Sequence, residues 1–207
     1  MGAPDLSIKD LSVRRGGRRV LDGASFELAA GELLALTGRN GSGKTTLLRA
    51  LALLVPSDAG EIRWHGESIA ADRDAWLGRL AWLGHSDGLK GDLSLGENLA
   101  AAEALRSGTS PSPARITEAL DAFDLLALAD RPARALSAGQ RRRAALARVK
   151  LCKADVWLLD EPLNALDAPA QGALRAALAA HLAKGGLVVA ATHAALDVAG
   201  SRSLELA

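Results

Sequence analysis

A short apolar run, Glu32 to Thr37, leads directly into Gly38-Arg39-Asn40-Gly41-Ser42-Gly43-Lys44-Thr45-Thr46, and behind it leucines recur at helical spacing from Thr45 to Leu54 until Pro56. A strand, a glycine-rich loop and a helix in that order restrict the chain to an α/β fold with the loop at the strand's C-terminal end. The spacing G-x-x-x-x-G-K-[ST] has a physical reason at each fixed position. Glycines let the backbone wrap a phosphate with its N–H groups turned inward, which side chains there would block. The helix adds the positive end of its dipole. Lys44 supplies a full charge to β- and γ-phosphates, and the Thr45 hydroxyl is a hard oxygen donor suited to Mg²⁺. A glycine-rich loop with no ligand would need neither Lys-Thr at its end nor a strand before it. The loop marks a nucleoside triphosphate site without saying what the hydrolysis drives, since GTPases, kinases and motors share it.

The remaining pattern extends this core. Leu6 to Val13 and Val20 to Leu28 read as strands around Gly16-Gly17, followed by Glu61 to Trp64 and Leu80 to Leu83. From Ser94 to Arg106 and from Pro113 to Leu128 the pattern turns helical, interrupted by a Ser/Pro/Gly loop. Strands return at Val156 to Leu159 and Leu187 to Ala191, with a helix from Pro169 to Lys184 between them. The expected architecture is one domain over residues 1–207. It has a mostly parallel core sheet, an N-terminal antiparallel β subdomain and an inserted helical subdomain at approximately 90–150.

The balance of 25 basic against 24 acidic residues, net +1, argues against a nucleic-acid partner, which usually demands a clustered basic excess. Arg14, Arg15, Arg18 and Arg19 flank the hairpin turn and read as a solvated edge. The single cysteine, Cys152, excludes an intrachain disulfide, fits a reducing compartment and reads as a small buried hydrophobe. With no N-terminal signal pattern and no apolar run near the roughly 20 residues a bilayer span needs, the expectation is a cytoplasmic chain that reaches membranes through partners.

Val156-Trp-Leu-Leu-Asp160-Glu161 is an apolar strand ending in two acids. Taken alone, such a pair is also compatible with a polar loop. Beside the phosphate loop, Asp160 is read as the Mg²⁺ carboxylate and Glu161 as the group that polarises an attacking water. Leu136-Ser137-Ala138-Gly139-Gln140 then opens a helix at Arg141-Arg142-Arg143. With this segment the chain resembles the ATP-binding cassette (ABC) ATPases, whose signature reads L-S-G-G-Q, and the resemblance runs from about Leu6 to the strand at Leu187. It implies a P-loop NTPase fold of ABC type, ATP with Mg²⁺, and a head-to-tail homodimer sandwiching two nucleotides. In that dimer Ser137, Gly139 and Gln140 would face the γ-phosphate bound by the other copy. Asn164-Ala-Leu-Asp167 resembles the loop that crosses the dimer interface. His193, after the strand that ends at Ala191, matches the switch histidine that contacts the γ-phosphate and holds the catalytic acid. His65 and His181 lack such context and are expected to face solvent.

Four positions leave the ABC pattern. Arg15 stands near the place of an adenine-stacking aromatic, and a guanidinium stacks on a base with less fixed geometry. Ala138 replaces a signature glycine, tolerable if its φ is negative, and Asn164 replaces a serine. His85 occupies the place of a glutamine that reaches Mg²⁺ and signals to the permease. The segment Trp82-Leu-Gly-His85-Ser-Asp-Gly-Leu-Lys90-Gly-Asp-Leu-Ser-Leu-Gly-Glu97-Asn98-Leu99, with the compact length, is similar to the ATP-binding subunits of haem-exporter type in cytochrome c biogenesis. That similarity implies a peripheral subunit at the cytoplasmic face of a bacterial inner membrane, paired with a CcmB-like permease and energising haem handling. The chain carries no C-x-x-C-H motif that would bind haem itself. The alternatives are an ATPase for another exporter (lipid, lipoprotein or peptide) and a soluble ABC ATPase acting on DNA or ribosomes. The second is disfavoured because 207 residues leave no room for a coiled-coil insertion or a second cassette. A regulator without turnover is disfavoured by the presence of both Glu161 and His193.

Overall fold

The computed structural model describes residues 5–206, and within them the alternation of apolar and polar residues builds an antiparallel sheet first. Strands β1 (Leu6–Arg15) and β2 (Arg18–Leu28) form a hairpin, and β1 also pairs with β4 (Ala59–Trp64), which carries the two-residue β5 (Glu67–Ser68). The buried face is the apolar set Leu6, Ile8, Leu11 and Val13 against Leu21, Phe26 and Leu28. The hairpin runs further than the apolar pattern: Arg14 lies opposite Arg19 and Arg15 opposite Arg18, all exposed. This is the solvated edge expected of them, extended because Gly16 and Gly17 take the left-handed turn (φ 55° and 77°) only after Arg15.

The second sheet is parallel throughout, in the order β6 (Leu80–Leu83), β7 (Val156–Asp160), β8 (Leu187–Ala191), β3 (Leu33–Thr37), β9 (Arg202–Glu205). Every residue of β7 and β8 is buried, which is why both read as unbroken apolar runs. Their side chains still alternate between two cores. Val156, Leu158 and Val189 meet the antiparallel sheet and helix α1 (Lys44–Leu51). Trp157, Leu159 and Val188 meet the helices α3 (Leu95–Ser107), α4 (Pro113–Asp121), α5 (Ala138–Leu151) and α6 (Ala168–Leu182). Helices α3 to α5 occupy the chain between β6 and β7, as expected for an inserted helical segment. Within it the buried Glu103 is ion-paired to Arg106 at 3.0 Å and Arg115 at 3.5 Å. Burial works to raise its pKa, and the two arginines prevail and hold it below the usual range. Cys152 lies half-buried nearby, and burial pushes its thiol up to about 11.

Several boundaries differ from the apolar pattern. The helix after the phosphate loop stops at Leu51, not Leu54: Leu53 turns left-handed (φ 54°) and Leu54 is exposed. The helix expected over 113–128 ends at Asp121, and Asp124 (φ 53°) separates it from a 3₁₀ turn at Leu126–Leu128. Besides the short β5 and a 3₁₀ turn at Ala133–Ala135, two elements were not expected. Helix α2 (Arg73–Gly78) is capped by Asp72, which accepts from the Ala75 N–H, and is anchored by Trp76, whose Nε1 donates to the Leu51 carbonyl at 2.7 Å. Strand β9 lies at the sheet edge and is mostly exposed.

His65 is exposed, paired to Asp5. His181, expected to face solvent, does not. Its ring stacks on Trp157 with centroids 4.1 Å apart and 11° between planes, and Nε2 lies 3.3 Å from the Leu187 carbonyl. Burial lowers its pKa below the ordinary histidine value. The unfolded chain therefore binds that proton more readily, and stability falls as pH drops through about 6.5. Gly186 makes room for the ring: a Cβ there would sit 2.2 Å from His181 Cε1. Gly186→Ala is expected to destabilise the fold by about 1–3 kcal/mol through overpacking, measured as a lowered urea midpoint. An unchanged midpoint would mean that the stacked ring moves away without cost.

Candidate active site

The phosphate loop leaves the C-terminal end of β3 in a conformation only glycines hold comfortably. Gly38, Gly41 and Gly43 all have positive φ (127°, 85° and 96°). A Cβ on Gly38 would lie 2.3 Å from the Leu206 carbonyl oxygen, and one on Gly43 would lie 2.6 Å from that of Val20. Lys44, only 7% exposed, folds back so that Nζ donates to the carbonyls of Gly38 (2.8 Å) and Arg39 (3.0 Å). The loop thus closes on its own ammonium group.

From β7 the sheet brings Asp160 to the same place. Its Oδ1 accepts a 3.0 Å hydrogen bond from Thr45 Oγ1, and the carboxylate is nearly fully buried. A hydroxyl and a carboxylate in contact beside a phosphate cradle are the hard oxygen donors that Mg²⁺ takes together with substrate phosphates, so the residues fit that ion. Glu161 follows in a left-handed conformation (φ 48°), unusual for a non-glycine residue and the kind of backbone strain found at functional sites. Its N–H is tied to the Ala191 carbonyl at 2.8 Å. His193 comes from the end of β8, where Thr192 and Ala194 exchange hydrogen bonds of 2.8 and 3.1 Å that fix the turn. Its Nε2 stands 3.4 Å from Glu161 Oε1.

Gly43, Lys44, Thr45, Asp160, Glu161 and His193 line one cavity of about 390 Å³ together with Asn40, Gly41, Thr46 and His85, while Gly38, Arg39 and Ser42 are not part of its lining. His85 is exposed at its wall, two residues past β6. Val20 and Arg49 also line the cavity and were not singled out in the sequence, because neither belongs to a motif. Arg15 is exposed near the hairpin tip, and Val20 forms the cavity wall contributed by the hairpin.

Ser137, Gly139, Gln140 and Asp167 are not brought into this cavity. They line a separate depression of about 140 Å³ with Arg143 and Ala165. Ser137 caps α5 reciprocally: its Oγ accepts from the Gln140 N–H (3.2 Å), and Gln140 Oε1 accepts from the Ser137 N–H (2.9 Å). Ala138 is the first helical residue, with φ outside the positive range, so its methyl is tolerated. Gly139 is not replaceable so simply, since a Cβ would stand 3.1 Å from the Ala165 carbonyl oxygen. Asp167 caps α6 through the Ala170 N–H.

The segment between β6 and α3 is held by its own side chains. Ser94 and Glu97 form a capping box, and the buried Asn98 amide donates to the carbonyls of Lys90, Leu93 and Ser94 while Oδ1 accepts from the Lys90 N–H. Its Glu-Asn-Leu ending is thus a device that shapes the loop.

The ABC transporter family model matches residues 21–164. A cytochrome c biogenesis ATP-binding export protein CcmA from Gluconobacter oxydans is 48% identical over 201 residues, covering 97% of this chain and 87% of that protein. One from Methylococcus capsulatus is 43% identical over 207 residues and is covered end to end. Among solved structures, a putative ABC transporter ATP-binding protein from Pyrococcus furiosus superposes with a TM-score of 0.83 at 26% identity, covering 96% of each chain. The chain is an ABC-type ATPase and belongs, within the ABC transporter family, to the cytochrome c biogenesis ATP-binding export proteins CcmA.

Proposed function

We propose that the chain hydrolyses ATP as a homodimer at the cytoplasmic face of a bacterial inner membrane. There it drives haem handling in c-type cytochrome biogenesis through a CcmB-like permease. The observation that carries this reading is identity of 48% and 43% to cytochrome c biogenesis export proteins over 97% and 100% of the chain. Among the described residues no helix is long and apolar enough to cross a membrane, so a permease partner supplies the passage. In this reading residues 1–207 form one nucleotide-binding domain, with the helical subdomain at approximately 90–150.

The site residues take the following roles. Lys44 donates to β- and γ-phosphate oxygens, with backbone N–H groups from Gly38 to Thr46 completing the cradle. Thr45 and Asp160 hold Mg²⁺, which when bound neutralises phosphate charge. Glu161 takes up the proton of the attacking water. His193 keeps the Glu161 carboxylate in place and reaches the γ-phosphate, and His85 stands where the permease signal enters. Arg15 lies beside the base. Ser137 and Gly139 serve the nucleotide bound by the partner copy, with Gln140 and Asp167 shaping that loop. A separate depression around Ser137, away from the phosphate cradle, fits a site completed by a second chain.

Co-expression with a CcmB-like membrane protein is expected to yield a stable complex in detergent, with ATP turnover that rises when haem is added. A complex indifferent to haem but stimulated by lipid, lipoprotein or peptide would assign the chain to another exporter.

A further inference from the structure

Arg142 was read in the sequence only as part of a helix start, yet it is among the most deeply buried charged side chains described, 4% exposed. From α5 its guanidinium reaches across to the C-terminal ends of two strands. One terminal nitrogen donates to the Gly84 carbonyl at 2.9 Å, and the other donates to the carbonyls of Asp160 and Glu161, both at 2.6 Å. Asp87 stands 3.7 Å away, between Arg141 and Arg142. Burial lowers the guanidinium's pKa against the opposing effect of Asp87, Asp160 and Glu161. Burying an arginine chiefly against backbone carbonyls is costly, so the contacts it makes call for a reason.

The two carbonyls on one nitrogen supply it. They belong to the peptide planes on either side of the Glu161 Cα, and fixing both planes fixes φ and ψ of Glu161 together. That residue sits at φ 48°, a conformation a glutamate does not adopt unless its surroundings impose it. The same guanidinium touches the carbonyl preceding His85, and its helix is capped by Ser137. Any displacement of α5 therefore bears directly on the backbone that aims the acid.

We propose that Arg142 is the positioning residue for Glu161: its fork holds the acid's backbone in the left-handed conformation and ties it to the signature helix. This rests on the assignment of Glu161 as the base. The test compares Arg142→Lys and Arg142→Gln with Glu161→Gln and with Lys150→Ala, a control on the same helix whose ammonium pairs with Glu118. Lysine keeps the charge but puts it on a single nitrogen without the planar fork, so it cannot reproduce the grip on Gly84 with one nitrogen and on Asp160 and Glu161 with the other. For Arg142→Lys, kcat is expected to fall about 100-fold, the cost of misplacing a reacting group by about 1 Å. Affinity for a fluorescent ATP analogue and the ATP-dependent dimer seen by size exclusion stay as in the wild type, while Lys150→Ala leaves turnover unchanged. Arg142→Gln behaves the same way or more severely, with the thermal midpoint separating lost fold from lost turnover. If Arg142→Lys turns over at the wild-type kcat while Glu161→Gln is inactive, this inference alone is overturned. If Arg142→Lys loses nucleotide binding and dimer together, the arginine is a structural pin and the inference is likewise overturned. If Glu161→Gln hydrolyses normally, the assignment of the base fails first.

Discussion

Glu161→Gln is expected to reduce ATP turnover by about 10³-fold while ATP remains bound and two subunits stay locked together. The substitution is nearly isosteric, so the approach of His193, 3.4 Å away, is kept. What disappears is the ability to take a proton from water at the moment it attacks, an effect worth about 10²–10⁴ in general-base catalysis. Binding should not suffer. Lys44, Thr45 and Asp160 are untouched, and removing one negative charge beside the γ-phosphate lessens repulsion there. A dimer whose nucleotide cannot be cleaved has lost the event that reopens it. Size exclusion with Mg·ATP should show a persistent dimer, and a single-turnover assay should show almost no phosphate. Normal steady-state hydrolysis would remove Glu161 from its role.

The parts of this site that could be read in advance are those where chemistry leaves no choice of residue. Gly38 and Gly43 face backbone oxygens within 2.6 Å of where a Cβ would be, and Lys44 is the charge such a loop requires. β7 and β8 were legible because both faces are buried, so apart from the terminal Asp160 neither strand carries a polar position. The missed features share another cause: their partners are backbone groups or distant side chains that leave no trace in local pattern. β9 is added to β3 by main-chain hydrogen bonds and needs no apolar alternation. α2 is six residues with one buried side chain, Trp76, too short to display a period. His181 is explained by Trp157 and by the missing Cβ of Gly186. Arg142 points at three carbonyls, and a carbonyl has no residue identity to recognise. The arginine run read as a helix start thus contains a buried residue beside two others that reach the Leu136, Phe123 and Asp124 carbonyls.

Lys44→Met separates binding from chemistry in the opposite sense to Glu161→Gln. Methionine reproduces much of the lysine stem and so preserves the packing of a side chain that is only 7% exposed. It cannot donate, which leaves the Gly38 and Arg39 carbonyls without the two hydrogen bonds of 2.8 and 3.0 Å that Nζ makes. In the role proposed for it the ammonium meets ionised phosphate oxygens instead of neutral carbonyls, which adds ion–ion attraction to hydrogen bonds that are charge-assisted in either case. The lost stabilisation should therefore be larger with nucleotide than without. Turnover is expected to fall by about 10²–10³-fold, the range for removing one donor aimed at developing charge. Unlike Glu161→Gln, this variant should also lose most of the preference for ATP over ADP and should stay monomeric when Mg·ATP is added. Titration with a fluorescent ATP analogue, competed by ATP and by ADP, reads the first effect, and size exclusion reads the second. Wild-type ATP affinity together with an ATP-dependent dimer would reduce Lys44 to a residue that shapes the loop, and the phosphate charge would then have to be met by Arg49, which lines the cavity.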